Sequence, residues 1–213
     1  YFQGGNPLLQ PTYSHAISLN IGYRWLQMFA NWHDVEDLTY WCIEPYTESS
    51  NELISVYTYR NLKHAQSCNV GLTASPKIGW WQPTLNVSVR KQWMRIDAMH
   101  YDHPLFVGSL NNEIAFPHDW ILHIDMDYHS NGHSGTIDWR QQGGVDVSLN
   151  KSFLNDRLNV TVAGYDIFAS RRTTSRLVYG TSDVYNWKYT DTRKLVLNLS
   201  YKFNVSRSKY KGT

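Results

Sequence analysis

The chain has 213 residues, of which 42% are hydrophobic and 18% are charged, and its formal net charge is +2 at pH 7. Neither the hydrophobic content nor the net charge argues for nucleic-acid binding or for disorder, and the length allows one large β domain or two small domains. Aromatic residues make up 15% of the chain, with 9 Trp and 15 Tyr. Large rings are typical of β surfaces, sugar platforms and membrane interfaces, so composition alone leaves these three open.

The chain begins with the residues YFQG, which match the remnant of a protease-cleavable expression tag. We therefore leave residues 1–4 out of the functional argument and treat residues 5–213 as one unit. No apolar run reaches the roughly 18 residues that a transmembrane helix needs.

An alternation of apolar and polar residues runs through most of the chain and predicts β-strands. Between residues 171 and 190 the sequence is polar, rich in Tyr and irregular, and there we predict no strand. The predicted strands are, in chain order, Ser14–Trp25, Leu26–Trp32 with a less regular continuation to Cys42, Leu53–Ser75, Thr84–Trp93, Leu105–Phe116, Trp120–Ser130, Thr136–Asn150, Leu158–Phe168 and Lys194–Phe203.

The connections between these strands alternate between short and long. No segment keeps a helical period, and no linker marks a second domain. The sequence therefore predicts an all-β, up-and-down antiparallel meander of about nine long strands. The short connections lie near Trp25, Gly79, His118 and Asn155, and the longer ones lie near Ser49, Asp102, Gly132 and Thr181.

Both β-sandwiches and outer-membrane barrels show such alternation, and the length of the strands distinguishes them. Strands in sandwiches usually have five or six residues, whereas a strand that crosses a bilayer needs roughly nine to eleven tilted residues. Several predicted strands reach that length, and alternating short and long loops are typical of outer-membrane barrels. Aromatic residues near the strand ends fit interfacial belts: Trp25, Trp80, Trp81, Trp120, Tyr201 and Phe203.

The stretch WILHIDMDYH places His123, Asp125, Asp127 and His129 on one face of a strand, in a row that resembles a metal site. Residues on the same face of a strand are about 6.6 Å apart, so His123 and His129 are roughly 20 Å apart. Metal–ligand bonds are about 2 Å long, so these four side chains cannot share one ion. We interpret the row as a polar lumen wall; a weak divalent-ion site on an adjacent pair and a solute contact are the alternatives.

Other patterns that suggest chemistry have ordinary explanations. Cys42 and Cys68 fall far apart along a hairpin centred near Glu48, so we expect no disulfide between them. The basic cluster formed by Ser170–Arg172 and Arg176 is interpreted as a solvated loop, with a ligand or lipopolysaccharide contact as the alternative. We find no nucleophile–base spacing, phosphate loop or zinc spacing, and so predict no catalytic residue, no cofactor and no metal.

Four Asn-x-Ser or Asn-x-Thr sequences match the glycosylation pattern. On a strand, this spacing places two polar groups on one face, and we predict no glycosylation. The four sequences begin at Asn86, Asn159, Asn198 and Asn204.

Four segments, in this order, resemble the C-terminal half of the outer-membrane β-barrel family of Bacteroidetes, whose members are related to TonB-dependent receptors. They are GNPLLQPTYSHAISLNIGYRW, YRNLKHAQSCNVGL followed by a Trp-Trp pair, GYDIFASRR, and TDTRKLVLNLSYKFNVSRSKYKGT. The similarity covers essentially all of residues 5–213. It implies that this chain is the C-terminal barrel portion of a larger outer-membrane protein with a plug and about 22 strands, and that NPLLQP is an outer loop.

The resemblance also implies partners and a function. The parent protein would bind or import a solute across the Gram-negative outer membrane with energy from TonB, and this chain would perform no catalysis. Leu199–Phe203 is similar to the C-terminal signal that the barrel-assembly machinery reads, and Asn204–Thr213 follow it as a tail. The expected partners are outer-membrane lipid, this machinery, the remaining strands and plug, and the solute; nucleic acid is not expected.

A separated barrel segment would have two unpaired edges. We expect it to re-close as a smaller barrel, to form a homodimer edge to edge, or to pack its apolar faces together, with Tyr1 and Phe2 covering part of such a surface. The main alternative is a soluble carbohydrate-binding β-sandwich that uses Trp80 and Trp81, or Trp139, as a sugar platform. An outer-membrane enzyme of the smaller barrel type is a further alternative.

Overall fold

The computed structural model describes residues 2–45, 55–179, 182–188 and 191–203. Tyr1, the loop around Glu48 and Ser49, Thr181, and the tail that begins at Asn204 lie outside these ranges. The strands are β1 (Phe2–Gln3), β2 (Tyr13–Tyr23), β3 (Leu26–Pro45), β4 (Ser55–Ala74), β5 (Trp81–Trp93), β6 (Arg95–Ile96), β7 (Met99–His100), β8 (Leu105–Phe116), β9 (Trp120–His129), β10 (Gly132–Ser134), β11 (Ile137–Trp139), β12 (Gln142–Phe153), β13 (Leu158–Tyr165), β14 (Thr173–Tyr179), β15 (Ser182–Lys188) and β16 (Lys194–Tyr201).

Nine long strands form one continuous meander in chain order: β2, β3, β4, β5, β8, β9, β12, β13 and β16. Every neighbouring pair in it is antiparallel. This confirms the predicted fold class of an up-and-down sheet of about nine strands. Because the nine long strands form a single sheet and are not divided between two packed sheets, the sandwich alternative is wrong.

The two ends of the meander differ in how the strands are joined. At one end, which we call the turn end, four tight turns join consecutive strands: Arg24–Trp25, Ser75–Trp80, Pro117–Asp119 and Leu154–Arg157. Residues with positive φ close them, among them Arg24 (52°), Gly79 (61°) and His118 (64°). At the opposite end, the loop end, the connections are longer and contain further short strands.

Two small sheets are built from the loop-end connections. The pair β6–β7 lies between β5 and β8, and β10, β11, β14 and β15 form a four-stranded sheet that we call the outer sheet. The outer sheet corrects two predictions. The predicted strand Thr136–Asn150 is divided between β11 and β12, and the supposedly irregular residues 171–190 contain β14 and β15.

The register of the meander gives it one apolar face and one polar face. On β9 and β12, Leu122, Ile124 and Met126 lie opposite Leu149, Val147 and Val145 on the apolar face. The alternate residues of the same strands, including His123, Asp125 and Asp127, lie on the polar face. The faces therefore follow the period of two seen in the sequence.

A small buried cluster lies where β3, β4 and β5 approach the loop end. Ala65, Met94, Ile96 and Tyr101 are buried there, and Leu38, Tyr40 and Leu62 pack against them. In the described ranges, no helix is long and apolar enough to span a membrane.

The cysteines are placed as expected. Cys68 of β4 lies opposite Trp32, far along β3 from Cys42, which lies opposite Thr58. The two are not joined by a disulfide, which confirms the prediction.

Candidate functional site

The apolar face of the meander is exposed over its whole width. On the first strand Ile17 is 67% exposed, in the centre Val89 is 45% exposed, and on the last strand Leu199 is 63% exposed. A continuous apolar surface this wide is not a feature of a monomer in water. It is the surface that a transmembrane sheet presents to lipid.

A belt of aromatic side chains borders the apolar face at the turn end. Each member is between 39% and 82% exposed, and the rings of Trp80 and Phe116 lie 5.6 Å apart. Trp81, which was expected in this belt, is partly buried, and its indole Nε1 donates to Asn112 Oδ1 at 3.1 Å. The belt comprises Tyr23, Trp25, Trp80, Phe116, Trp120, Phe153, Tyr201 and Phe203.

A second belt borders the apolar face toward the loop end. Its members are between 36% and 60% exposed: Tyr13, Trp93, Phe106 and Tyr128. The belts are separated by about 26 Å along β9 and about 33 Å along β8. With strands tilted by about 40°, the apolar band is about 20–25 Å tall, close to the ~25 Å of outer-membrane barrels.

One lysine at each belt marks the level of the lipid headgroups. Lys151 lies on the apolar face with its Nζ 5.3 Å from the Trp120 ring and 5.5 Å from the Phe153 ring, and it donates to the His118 carbonyl. Lys91 Nζ lies 5.5 Å from the Trp93 ring. Both are amphipathic side chains whose stems lie along rings and whose ammonium groups can reach water or phosphate.

The predicted His–Asp row lies on the polar face. Its members do not converge: Asp127 forms an ion pair with Arg171, while the His129 ring meets the Trp139 ring edge-on at 6.1 Å. Among the described residues, no group of three or more His, Cys, Asp or Glu side chains is placed to hold a metal ion. The row forms part of the polar wall of the sheet.

Arg171 connects two strands at the loop end of the polar face. Its Nη1 donates to Asp146 Oδ1 at 2.6 Å and its Nη2 donates to Asp146 Oδ2 at 3.1 Å and to Asp127. These bonds raise the pKa of Arg171 above its ordinary value. Gly144 gives it room, since a Cβ there would lie 2.3 Å from Arg171 Nε. The chain that follows β13 is thereby fixed to the polar face.

Asp166 organises the same connection from inside. It is only 1% exposed, and it accepts from the backbone N–H of Ser170 at 2.9 Å, that of Arg171 at 3.3 Å, and the Thr192 hydroxyl. Burial acts to raise the pKa of Asp166, but these hydrogen bonds outweigh it and hold the pKa below its ordinary value. The ionised form therefore holds both ends of the connection together.

Side chains of the polar face also hold the outer sheet in place. Gln92 donates to the Gly135 carbonyl at 2.7 Å and accepts from the Gly135 N–H at 2.9 Å, and Arg90 Nη1 donates to the Ser134 hydroxyl at 3.4 Å. The outer sheet is thus attached to the polar face of the meander at Ser134 and Gly135.

A family model described as the outer membrane protein beta-barrel family matches residues 1–201. The chain belongs to this family. The match covers the whole nine-stranded meander and every residue of the two belts except Phe203. Searches of curated proteins and of solved structures each find no significant match.

Membership of the outer membrane protein beta-barrel family assigns a place to each surface. The protein resides in the outer membrane, and its apolar face is the lipid-facing surface. In such barrels the tight turns face the periplasm and the long connections face outward. The turn-end belt is therefore periplasmic, and the outer sheet lies on the cell exterior.

The sequence interpretation missed the role of the basic cluster. Arg171 is not a solvated loop residue: its side chain is 20% exposed and is paired with two carboxylates. Its partners are far away in sequence, so no local motif marks the contact. The only signal was Gly143–Gly144 within a strand, since glycine in a strand often marks the close approach of another group.

Proposed function

We propose that this chain is the C-terminal barrel segment of a Bacteroidetes outer-membrane protein like the TonB-dependent receptors, which binds or imports a solute without catalysis. The observation that carries the proposal is the pair of unpaired sheet edges. Within the described residues, β2 pairs only with β3, and β16 pairs only with β13.

Strand direction argues against simple closure of this sheet. Since nine consecutive antiparallel strands alternate in direction, β2 and β16 run the same way. Joining these two edges would create a parallel pair, whereas outer-membrane barrels of single bacterial chains have an even number of antiparallel strands. An odd number of additional strands is needed between β16 and β2.

A second copy of the chain in the same membrane orientation does not meet this need. Its β2 would also run parallel to the first copy's β16, so two copies related by an axis along the barrel form parallel seams. We therefore favour further strands of a larger parent over a homodimer as the completing element.

The unpaired edges are costly in lipid. Each backbone N–H or C=O left without a partner in the hydrocarbon region costs several kcal/mol. Both β2 and β16 are exposed along their whole length. The cost disappears when further strands pair with these edges, which supports a segment of a larger barrel.

The polar face suits the wall of a plugged or solute-conducting lumen. Near the turn end it carries cross-strand bonds between neutral groups, such as Thr73–Asn86 at 2.8 Å and Asn150–Thr161 at 2.7 Å. Asn86 and Asn159, two of the residues that match the glycosylation pattern, take part in such bonds. The proposed partners are a plug and a solute on this face, lipid on the other face, and the barrel-assembly machinery at Leu199–Phe203.

Expression of the complete gene from its own start codon tests the proposal. Membrane fractions are compared by electrophoresis with and without boiling. We expect an outer-membrane protein that is longer than 213 residues and that migrates faster when it is not boiled. We also expect that a photoreactive residue placed in the periplasmic domain of TonB cross-links to this protein. A product no longer than this chain would overturn the segment proposal, and a long product that TonB never contacts would overturn the transport part.

A further inference from the structure

We propose that the exposed face of the outer sheet binds a neutral oligosaccharide, with Tyr185 and Trp187 as the stacking platform. Both side chains lie on β15 two residues apart, and each is 62% exposed. Residues at this spacing share one face of a strand, with about 6.6 Å between them. The two rings thus form a short apolar strip on the cell exterior.

Hydrogen-bonding groups border this strip on the neighbouring strand. Arg176 lies directly opposite Tyr185 in the register, and Thr174 lies opposite Trp187. Arg176 donates to both carboxylate oxygens of Asp183, at 2.9 and 2.6 Å. The strip is therefore apolar in the middle and rich in hydrogen-bond donors and acceptors at its side. A pyranose ring is complementary to it, because the ring has an apolar C–H face and hydroxyl groups at its edge.

The charges on this face favour a neutral ligand. Arg176 is paired with Asp183, and Asp138 is paired with Arg140 at 3.7 Å. Paired charges leave no net field to attract an anion or a cation. They still offer the fixed, charge-assisted hydrogen bonds that recognise hydroxyl groups.

The size of the strip argues against a protein partner. A stable protein interface buries about 800 Å² on each side, whereas two aromatic side chains bury at most about 150–250 Å² each. Insertion into lipid is also unfavourable, since Arg176 and Asp183 beside the rings would have to leave water.

The outer sheet, which carries the platform, is attached to the meander. The opposite face of the outer sheet packs on the meander through Trp139 and His129 and through the paired bonds of Gln92 with Gly135. Trp139 itself faces inward and is not part of the platform. The inference concerns the outer sheet alone and does not require that the protein imports anything.

Calorimetric titration of the full-length gene product in detergent tests the proposal. The neutral probes are maltoheptaose, cellohexaose, xylohexaose and laminarihexaose, and the charged probes are an oligogalacturonate and a chitosan oligomer. We expect saturable binding of at least one neutral probe, weaker binding of both charged probes, and a loss of about tenfold in affinity for Tyr185→Ala and for Trp187→Ala.

Two control variants separate stacking from general loss of an exposed apolar group. Phe168→Ala removes a ring that is 70% exposed on the connection after β13, and Val184→Ala changes the other face of β15. Both should leave the affinity within about twofold. The proposal is overturned if no neutral probe binds, if a charged probe binds more tightly, or if the controls weaken binding as much as the platform variants.

Discussion

A single missing Cβ allows the loop-end connection to reach the barrel wall. Asp146 lies directly opposite Asp125 in the register, on the same face, where two carboxylates repel each other. The guanidinium of Arg171 lies over Gly144 and pairs with Asp146, and so relieves that repulsion. The glycine, the acidic pair and the arginine therefore act as one unit.

Gly144→Ala tests this unit. The new methyl group would displace Arg171 from Asp127 and Asp146, and charge-assisted bonds of this kind contribute about 1.5–3 kcal/mol each. We expect the amides of Ser170 and Arg171 to lose about 10- to 100-fold of their hydrogen-exchange protection.

Gly22→Ala is the matched control for that variant, since nothing lies within 4 Å of a Cβ at Gly22. Its protection pattern should match the unmodified protein. Unchanged protection in Gly144→Ala would show that Arg171 does not hold the connection.

Because the ionised carboxylate of Asp166 holds the connection that follows β13, we expect this connection to loosen in acid. Its folded-state pKa is below the ordinary 3.8, so its contribution to stability is complete above pH 3.8 and is lost as the pH falls through the lower, folded value. Exchange protection of the Ser170 amide, corrected for intrinsic rates, should be lower at about pH 2 than at about pH 6.

The variant Asp166→Asn should show low protection at both pH values, because an amide accepts at only one of its two terminal atoms. Equal protection of the unmodified protein at both pH values would contradict the assignment. The control site is the amide of Ser152, which lies near the turn end and has no bond to Asp166.

At the scale of the strand, the period of two decides which side chains face lipid. Val147 lies opposite Ile124, which is midway between the belt residues Trp120 and Tyr128, so it is near the middle of the membrane. Ser148, the next residue, faces the polar side. Adjacent positions on β12 thus experience different solvents.

The matched variants Val147→Lys and Ser148→Lys test whether these two positions face different solvents. A lysine at the bilayer midplane costs about 2–4 kcal/mol, whereas a lysine facing the lumen costs little. Equilibrium unfolding by urea in lipid vesicles measures both. Similar costs for the two variants would contradict the assignment of the faces.

The sequence revealed the long strands because lipid on one side and water on the other impose a strict alternation. It did not reveal β11, β14 and β15, since the outer sheet borders water and carries pairs such as Arg176 and Asp183 instead of an apolar row. The predicted strand Thr136–Asn150 failed for a related reason. Ile137 and Trp139 continue the apolar alternation of β12 but belong to another sheet.

At the scale of the whole molecule, the odd number of strands in the meander determines which strands can pair with its two edges. Nothing local in the sequence shows this, because direction at the edges depends on the number of strands between them. The prediction of re-closure as a smaller barrel remains untested, and the shared direction of β2 and β16 argues against it.

Cysteine pairs test whether the two edges meet when this chain is refolded alone in lipid. With Cys42 and Cys68 replaced by Ala, the pair Asn20→Cys and Asn198→Cys should not form an intramolecular disulfide. The control pair Asn150→Cys and Thr161→Cys replaces residues that lie opposite each other on β12 and β13, and it should cross-link. Efficient cross-linking of the first pair would show that the sheet re-closes.

The hairpin of β3 and β4 is longer than its neighbours, with 20 residues in each strand. Since β5 pairs with β4 only from Gln66 onward, Ser55–Ala65 continue past the sheet by about 36 Å. That length exceeds the height of the apolar band, so this hairpin projects well beyond the neighbouring strands on the outer side of the membrane. Among the described residues, 55–65 will therefore be among the first that an antibody, a bacteriophage or a bulky solute meets on an intact cell.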